Sequence, residues 1–240
     1  MSDVQTDLGG VRKDFPLTTA NFQARLRDPD SVARMEVMET LATRYWKPVY
    51  HFLRMSYSKS NEDAKDLTQA FFAWLMERDL LLRYDSERSS FRTFLKGILR
   101  NFAGNEHQAL QRLKRGGGPK AVPVDLAQVG LAAPAVDPDQ AFDRSWLKEL
   151  LDRAIDRVRA RYQANRRAVP FLVFQQYDLA PEGETPTYAM LAGRCGIKES
   201  DVRNYLHEVR EAIRSEMKVE VSATGDGVAF LDELGPLFRS

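Results

Sequence analysis

Apolar residues recur every three or four positions along most of this chain, and that spacing constrains its fold more than any other feature. The first long run extends from Val32 to Phe52, and comparable runs follow later in the sequence. This period matches the helical turn, so it gathers the apolar side chains on one face of a helix. No stretch of the sequence shows the alternation of apolar and polar residues that a strand requires. The sequence therefore predicts an all-α fold.

A stretch rich in Gly, Ala and Pro, residues 116–139, divides the helical pattern in two. It has no apolar period, which is typical of a flexible linker. We therefore predict two helical domains joined by a flexible linker. The predicted division is a disordered N-terminal tail over 1–16, a first domain over 17–115, the linker over 116–139, a second domain over 140–218 and a C-terminal extension over 219–240.

Capping and helix-breaking residues predict where the individual helices begin and end. Ser60 or Asn61 caps one helix, Pro48 kinks the helix before it or starts a new one, and residues 86–90 form a loop. The helices after that loop are predicted at Phe91–Arg115, from Pro138 or Asp139 to Arg167, and at Pro170–Tyr177, Thr187–Arg194, Ser200–Val219 and Phe230–Phe238.

Composition argues against several classes of function. Cys195 is the only cysteine, so the chain can form neither an intramolecular disulfide nor a cysteine metal cluster, and its three histidines lack metal-ligand spacing. We expect no metal, no cofactor and no catalytic site, and therefore a protein that is not an enzyme. Because the N-terminus lacks the apolar run of a signal peptide and no stretch is long enough to span a membrane, we expect a cytoplasmic location.

Charge is balanced overall but unevenly distributed. The 35 Lys and Arg residues and the 34 Asp and Glu residues leave a net charge of +1. Basic residues crowd into 92–120 and 153–167, whereas acidic residues collect near 62–66 and 182–184. The near-neutral total therefore does not exclude nucleic-acid binding, which depends on where the cations lie.

The helix predicted from residue 61 has an unusual outer face. Its apolar stripe is predicted to consist of Leu67, Ala70, Phe71, Trp74 and Leu75. The opposite side carries Glu62, Asp66, Gln69 and Glu77, with Phe72, Ala73 and Met76 on or beside it. A solvated face rarely carries a Phe and a Met among carboxylates. Either this face packs a second time inside its own domain, or it docks a partner through an apolar centre beside acidic residues.

The helix predicted at Phe91–Arg115 opposes its apolar stripe with a basic face. That face gathers Thr93, Lys96, Arg100, His107, Gln111 and Lys114. Gly97 and Gly104 flank it, and an interior helical glycine costs about 1 kcal/mol relative to alanine, which suits a position that another backbone approaches closely. Nucleic-acid phosphates would explain the cations, with Asn101, Asn105 and Gln108 reading bases or sugars. The alternative is an ordinary solvated basic face.

A third pattern, over residues 187–214, has the spacing of a helix-turn-helix. Ala192, Gly196 and Val202 supply a small residue where two helices touch, a glycine in the turn and an apolar anchor. The exposed cationic flank of the second helix is predicted to consist of Arg203, His207, Arg210 and Arg214. Arg203, Asn204 and His207 are best placed to contact base edges. Helical hairpins of unrelated function can show the same spacing, so both interpretations stay open here.

Four segments carry a resemblance to a known family. They are RYWKPVYHFLR, DAKDLTQAFF, YDSERSSFRTFLKGILRNFAGNEHQALQRLKRGGG and YAMLAGRCGIKESDVRNYLHEVREAI. Together they resemble a bacterial RNA polymerase sigma factor of the extracytoplasmic-function (ECF) group. The resemblance covers most of residues 15–218, and its most specific part is the run of DAKDLTQAFF before YDSERSSFRTFL.

The resemblance implies a transcription initiation factor with three binding surfaces. The first docks on the clamp helices of the largest polymerase subunit and would comprise Asp63, Asp66, Gln69, Phe72 and Met76. The second melts and reads the −10 promoter element and would comprise Arg88, Ser89, Ser90, Arg92, Lys96, Arg100, Asn101 and Asn105. The third reads the −35 element, lies on the polymerase flap and would comprise Arg203, Asn204, His207, Arg210 and Arg214. The implied partners are core RNA polymerase and promoter DNA.

Three residues depart from the family pattern. Lys65 stands at the acidic third position of the Asp-Ala-Glu-Asp motif, Lys198 where Ser or Thr often caps the recognition helix, and Glu208 where a basic residue is common. These departures predict modest polymerase docking and modest promoter affinity. One hypothesis is that a kinase restores negative charge by phosphorylating Thr68 or Ser60. An anti-sigma factor is the other regulator that we expect.

The same departures support a rival interpretation, a helical sigma-like regulator or adaptor that has lost promoter-directed activity. An ordinary one-domain repressor is a third alternative, but it leaves the first domain unexplained. As drawn from the sequence, the sigma-factor interpretation fails if Phe72 is sealed inside its own domain and no groove is left beside Arg100.

Overall fold

The computed structural model describes residues 25, 31–57, 60–114 and 137–223. The helices are α1 (Ser31–Tyr57), α2 (Asn61–Glu77), α3 (Phe91–Lys114), α4 (Pro138–Ala164), α5 (Ala168–Tyr177), α6 (Tyr188–Cys195) and α7 (Glu199–Ala223), with a short 3₁₀ helix at Leu80–Arg83. These described ranges contain no strand, so the predicted all-α class is confirmed for them. The predicted tail over 1–16, almost all of the predicted linker and the helix predicted at Phe230–Phe238 lie outside the described residues.

Side-chain caps explain where several of the helices begin. The Ser60 hydroxyl accepts a hydrogen bond from the Asp63 N–H at 3.2 Å, which confirms the predicted start of α2. Asp137 caps α4, and Pro138 occupies its first turn, where the missing N–H of proline costs nothing. Thr187 caps α6 in the same way. The start of α4 at Pro138 therefore confirms the predicted helix start, although position 138 had also been counted in the predicted linker.

Two local features differ from the expectations. Helix α1 continues through Pro48, so the predicted alternative of a new helix start there is wrong. Val49 and Leu53 beyond the proline are fully buried, and this packing outweighs the one hydrogen bond that proline removes. The sequence also did not predict the 3₁₀ helix, which buries Leu80 and Leu81 against the core.

One hydrophobic cluster joins helices from both halves of the chain. Helix α4 packs along α1, and α7 packs against α4, α5 and α6. Near the middle of α1, the ring of Tyr45 lies 5.4 Å from that of Phe91 in α3 and 6.4 Å from that of Phe142 in α4. Such aromatic pairs add about 0.5–1.5 kcal/mol to stability beyond the area that they bury. The helices before and after the predicted linker therefore share a core.

A buried ionic cluster also links the last helix to the first. The Glu220 side chain of α7 is 5 % exposed, and its carboxylate lies 2.6 Å from the Arg153 guanidinium, 3.1 Å from that of Arg157 and 3.5 Å from that of Arg44. Because Arg44 belongs to α1 and the other two arginines to α4, one carboxylate joins three helices. Burial lowers the pKa of the Arg44 guanidinium from its ordinary value.

Candidate nucleic-acid and partner interfaces

The outer face of α2 is acidic and ends in an apolar side chain. Asp63, Asp66 and Gln69 are exposed along this face, and Met76 near its end is 48 % exposed. On a wheel of about 100° per residue these four residues lie on one continuous side of the helix. The structure therefore brings together four of the five residues that were predicted to dock a partner.

Phe72, the fifth predicted docking residue, is not part of this face. Its side chain is only 7 % exposed, and its ring stacks on that of Trp46 in α1 at 5.8 Å. The expectation of an exposed Phe72 is therefore wrong, and the alternative of packing within the fold is confirmed for this residue. Phe72 lies about 60° from the buried Leu75 on the helical wheel, at the edge of the apolar stripe, where α1 covers it. Ala70, predicted in that stripe, is exposed instead.

The start of α2 also bears on the hypothesis of phosphorylation. Thr68 is fully buried, and its hydroxyl donates a hydrogen bond to the Ala64 carbonyl at 2.7 Å. Thr68 is therefore out of reach of a kinase in the folded chain, and this half of the hypothesis is wrong. Ser60 is exposed and caps the helix. The Lys65 ammonium lies 3.1 Å from the Glu62 carboxylate, so its positive charge neutralises the negative charge of Glu62 at the start of α2.

The loop before α3 is a compact turn with one exposed cation. The Asp85 carboxylate accepts a hydrogen bond from the Glu87 N–H at 3.0 Å and lies 3.1 Å from the Arg88 guanidinium. The Ser90 hydroxyl accepts a hydrogen bond from the Thr93 N–H at 3.2 Å, so Ser90 caps α3. Arg88 is exposed, whereas Ser89 and Ser90 are half-buried. Of the loop residues predicted to bind the −10 element, only Arg88 therefore presents an exposed side chain.

The basic face of α3 lies against α4. The Asp143 carboxylate is 3.1 Å from the Arg92 guanidinium and 2.9 Å from the Lys96 ammonium, and Arg100 pairs with Asp139. The side chains of Arg92 and Lys96 are 13 % and 14 % exposed, whereas that of Arg100 is 51 % exposed. The expectation of a basic face open to solvent or nucleic acid is therefore wrong for Lys96, and Arg92, which was predicted to bind the −10 element, is covered as well. Arg100 borders solvent but is held by a carboxylate.

The remaining predicted −10 residues lie beyond this contact. Asn101 and Asn105 are exposed on α3. Apart from the neighbouring residues and the backbone of its own helix, no described heavy atom lies within 4 Å of a Cβ built on Gly97 or Gly104. Packing among the described residues therefore does not require glycine at either position.

Helices α6 and α7 form the predicted helix-turn-helix unit. Gly196 ends α6 with a φ of 65°, a left-handed conformation that glycine adopts without a steric penalty, and its N–H donates to the Ala192 carbonyl. Leu191 and Val202 are fully buried on the two sides of the turn. The predicted turn glycine and the predicted apolar anchor are therefore confirmed.

The predicted −35 residues on α7 divide into an exposed group and a paired group. Arg203, Asn204 and His207 in the first half of the helix are exposed. The Arg210 guanidinium makes hydrogen bonds of 2.7 and 3.0 Å with the Asp178 carboxylate, and these raise the pKa of Arg210. Arg214 pairs with Glu211 one turn earlier. Of the five predicted −35 residues, only Arg203, Asn204 and His207 are therefore exposed and outside these ion pairs.

Glu208 has an internal role that accounts for an acidic residue on this helix. Its carboxylate accepts a hydrogen bond from the Tyr162 hydroxyl at 2.8 Å and lies 3.0 Å from the Arg167 guanidinium. Burial, together with the hydrogen bond to Glu208, raises the pKa of Tyr162 to about 12. Glu208 therefore ties α7 to the end of α4.

Lys198, the other unusual residue here, is compensated by a neighbour. The Lys198 N–H donates a hydrogen bond to the Asp201 carboxylate at 3.1 Å. This is half of a capping box, in which an acidic side chain in the first turn reaches back to the residue before the helix. The start of α7 is therefore capped without a Ser or Thr at position 198.

The residues that the sequence did not reveal are the carboxylates Asp139 and Asp143. The sequence does contain a signal for this contact. Asp139 and Asp143 are four residues apart, and Arg92, Lys96 and Arg100 have the same spacing. Residues at this spacing share one helix face, so the two sets are complementary. Complementary charge does not say which helices pack together, however, and the sequence placed α4 in a different domain.

The described ranges contain neither a candidate metal-binding cluster nor a candidate membrane-spanning helix. Within them, no group of three or more His, Cys, Asp or Glu side chains is arranged to hold a metal ion. None of the helices in the same ranges combines the length and the apolar character needed to cross a bilayer. In comparisons with known proteins, no family model matches the chain, and no curated protein or solved structure matches it significantly.

Proposed function

We propose that this chain is a transcription initiation factor that binds core RNA polymerase and directs it to promoters, as its resemblance to ECF-group sigma factors implies. The observation that carries the proposal is the helix-turn-helix unit, in which Gly196 sets the turn and α7 exposes Arg203, Asn204 and His207. Recognition helices of this kind contact base edges with the residues near their N-terminus. These three exposed residues lie in the first half of α7.

The exposed side chains on α7 have the chemistry that duplex recognition requires. Arginine donates two hydrogen bonds to guanine, and asparagine pairs with adenine, both in the major groove. In this proposal Arg203 and Asn204 read base pairs of the −35 element, and His207 contacts the next base or a phosphate. Arg210 and Arg214 stabilise the domain through their ion pairs with Asp178 and Glu211.

The proposed polymerase-docking surface is the acidic face of α2 without Phe72. Asp63, Asp66 and Gln69 supply polar contacts, and Met76 supplies the exposed apolar contact. A docking interface typically combines an apolar contact with a polar rim. Phe72 supports this surface without belonging to it, because its stack on Trp46 fixes α2 against α1.

Co-purification with core RNA polymerase tests this docking surface. Asp66→Ala combined with Met76→Ala should weaken polymerase binding by about tenfold or more, because the proposal makes both residues hot spots, whose truncation costs more than about 1 kcal/mol each. Glu182→Ala combined with Leu179→Ala is the matched control, because it removes one exposed acid and one exposed apolar side chain elsewhere. Equal recovery of polymerase by both double variants would remove the docking assignment.

One observation favours the alternative, a helical sigma-like regulator or adaptor without promoter-directed activity. Arg92, Lys96 and Arg100, which a sigma factor would use on the −10 element, are all engaged by carboxylates of α4. An adaptor has no need to free them, whereas a sigma factor does.

Run-off transcription with purified core RNA polymerase separates the two functions. Melting by a sigma factor requires capture of unstacked non-template bases, which offsets the cost of opening the duplex. A sigma factor should therefore yield transcripts from defined start sites on DNA that the holoenzyme enriches. An adaptor should bind the polymerase and yield no transcripts beyond those of core enzyme alone.

A further inference from the structure

Three cations of α3 and two carboxylates of α4 form a ladder of ion pairs. Lys96 and Arg92 both contact Asp143, at 2.9 and 3.1 Å. Arg100, one turn further along α3, pairs with Asp139, one turn earlier along α4. Residues four apart share a helix face, so one face of α3 meets one face of α4.

The ladder occupies the groups that a phosphate would need. The Arg92 guanidinium also lies over the ring of Trp146, whose centroid is 4.8 Å away. Lys96 directs its ammonium to both oxygens of Asp143, at 2.9 and 3.1 Å. Phosphate oxygens and carboxylate oxygens compete for the same N–H donors. A nucleic-acid strand therefore cannot contact Arg92 and Lys96 while α4 lies against α3.

Contacts elsewhere hold α4 in this position. Lys47 of α1 lies 2.7 Å from the Glu149 carboxylate, and Phe142 stacks beside Tyr45 of α1. Glu220 of α7 contacts arginines of both α1 and α4. The ladder is thus one part of a wider docked arrangement, and α4 must move as a whole to free the cations.

We propose that α4 masks the basic face of α3, and that single-stranded nucleic acid reaches this face only when α4 has moved away. The inference rests on the proposed function, because it concerns the regulation of the surface that would bind the −10 element. The carboxylates of Asp139 and Asp143 act as internal substitutes for phosphates. The masked chain binds single strands weakly until the two helices separate.

Binding of the full chain to a fluorescein-labelled single-stranded DNA of mixed sequence, followed by fluorescence anisotropy, tests the mask. Asp139→Asn with Asp143→Asn should raise the affinity by about tenfold or more at low salt, because three cations become available to phosphates. The dependence of log affinity on log salt should steepen by roughly 2, since each phosphate contact on a single strand contributes about 0.7. No gain in affinity would overturn the proposal.

A matched control separates unmasking from a simple change in net charge. Glu182→Gln with Glu184→Gln removes the same number of negative charges at exposed positions outside the ladder. This control should show no steeper salt dependence than the wild-type chain. Adding Lys96→Ala and Arg100→Ala to the Asp139→Asn/Asp143→Asn variant should abolish its gain. A gain in the control as large as in the ladder variant would contradict the mask.

A reversible lock tests whether α4 has to move. Lys47→Cys and Glu149→Cys, in a Cys195→Ser background, place thiols on α1 and α4 at an ion pair away from the ladder, of which the Lys47 side chain is exposed. Joined by a short reagent that contains a cleavable disulfide, these thiols should suppress the gain of Asp139→Asn/Asp143→Asn, and reduction should restore it. A locked variant that binds as tightly as the reduced one would show that movement of α4 is not required.

Run-off transcription with the same variants distinguishes a failure of the mask from a failure of the proposed function. Promoter-specific transcripts without any effect of the ladder on single-strand binding would reject the mask and retain the function. A gain in single-strand binding without transcripts would retain the mask and reject the function.

Discussion

The two cationic helix faces of this chain differ in what lies against them. On α3, Arg92 and Lys96 lie beneath α4 and are bound by Asp143. On α7, Arg203 and His207 are exposed, whereas Arg210 and Arg214 further along the helix are paired with Asp178 and Glu211. The two faces have similar side chains, so their own sequences do not explain the contrast. Availability to a nucleic acid is decided by which neighbouring helix contributes the acids.

The largest expected effect comes from removing Glu220, the carboxylate that links α7 to α1 and α4. Glu220→Ala should lower the free energy of unfolding by about 3–5 kcal/mol, because it removes the carboxylate shared by three largely buried arginines. Urea denaturation followed by circular dichroism measures the change.

The control for this variant is a surface acid on the same helix. Glu216→Ala removes the partner of Arg161, whose side chain is about half exposed, and should cost no more than about 1 kcal/mol. Equal losses in the two variants would mean that the buried cluster does not join the helices as described.

The next effect concerns the open face. Arg203→Ala should weaken binding to a duplex selected by the wild-type chain by about 1–3 kcal/mol, the range for one good base contact. Electrophoretic mobility shift with the full chain gives the affinity. Arg100→Ala removes a cation of equal charge from the masked face and should leave this affinity within about twofold. A larger effect of Arg100→Ala than of Arg203→Ala would reverse the contrast between the faces.

A smaller effect concerns the contact between α7 and the end of α4. Tyr162→Phe should cost about 1 kcal/mol at neutral pH, the net value of one hydrogen bond. Because the folded pKa of Tyr162 is raised to about 12 from 10.0, its neutral phenol stabilises the fold below pH 10, and this contribution is lost as the pH rises from 10 to 12. Urea denaturation at several pH values should show the alkaline loss in the wild-type chain and a smaller one in Tyr162→Phe. Identical alkaline profiles would exclude this role of Tyr162.

The smallest effect tests whether a glycine on α3 serves a ligand. Gly97→Ala should stabilise the chain by about 0.5–1 kcal/mol, because alanine favours the helix and no described atom obstructs a Cβ there. Gly193→Ala on α6 is the matched control, since its site is equally open. If a nucleic-acid backbone approaches α3 closely, only Gly97→Ala should also weaken single-strand binding in the unmasked background. Unchanged single-strand binding in both would leave Gly97 without a role in the complex.

Features that depend on neighbouring residues in the sequence were predictable. The cap at Ser60, the turn at Gly196 and the buried anchor Val202 each follow from local chemistry and are found in the structure. The helices α3, α5 and α6 lie within about two residues of their predicted bounds, which is the usual uncertainty of a helix end.

Features that depend on the neighbouring helix were not predictable in this way. Phe72 lies at the edge of its apolar stripe, and only the position of Trp46 on α1 decides that it is covered. Lys96 looks like a solvated cation until Asp143 is placed beside it. In both cases the error came from treating a helix face as exposed because its own sequence is polar.

Transcription from a library of genomic fragments, with purified core RNA polymerase in the presence and absence of the chain, tests the central proposal most directly. Mapping the transcript 5′ ends should give start sites that share two sequence elements upstream, at the −10 and −35 positions, and Arg203→Ala should reduce their use. A folded chain that co-purifies with the polymerase but adds no start sites to those of core enzyme alone would contradict the proposed function.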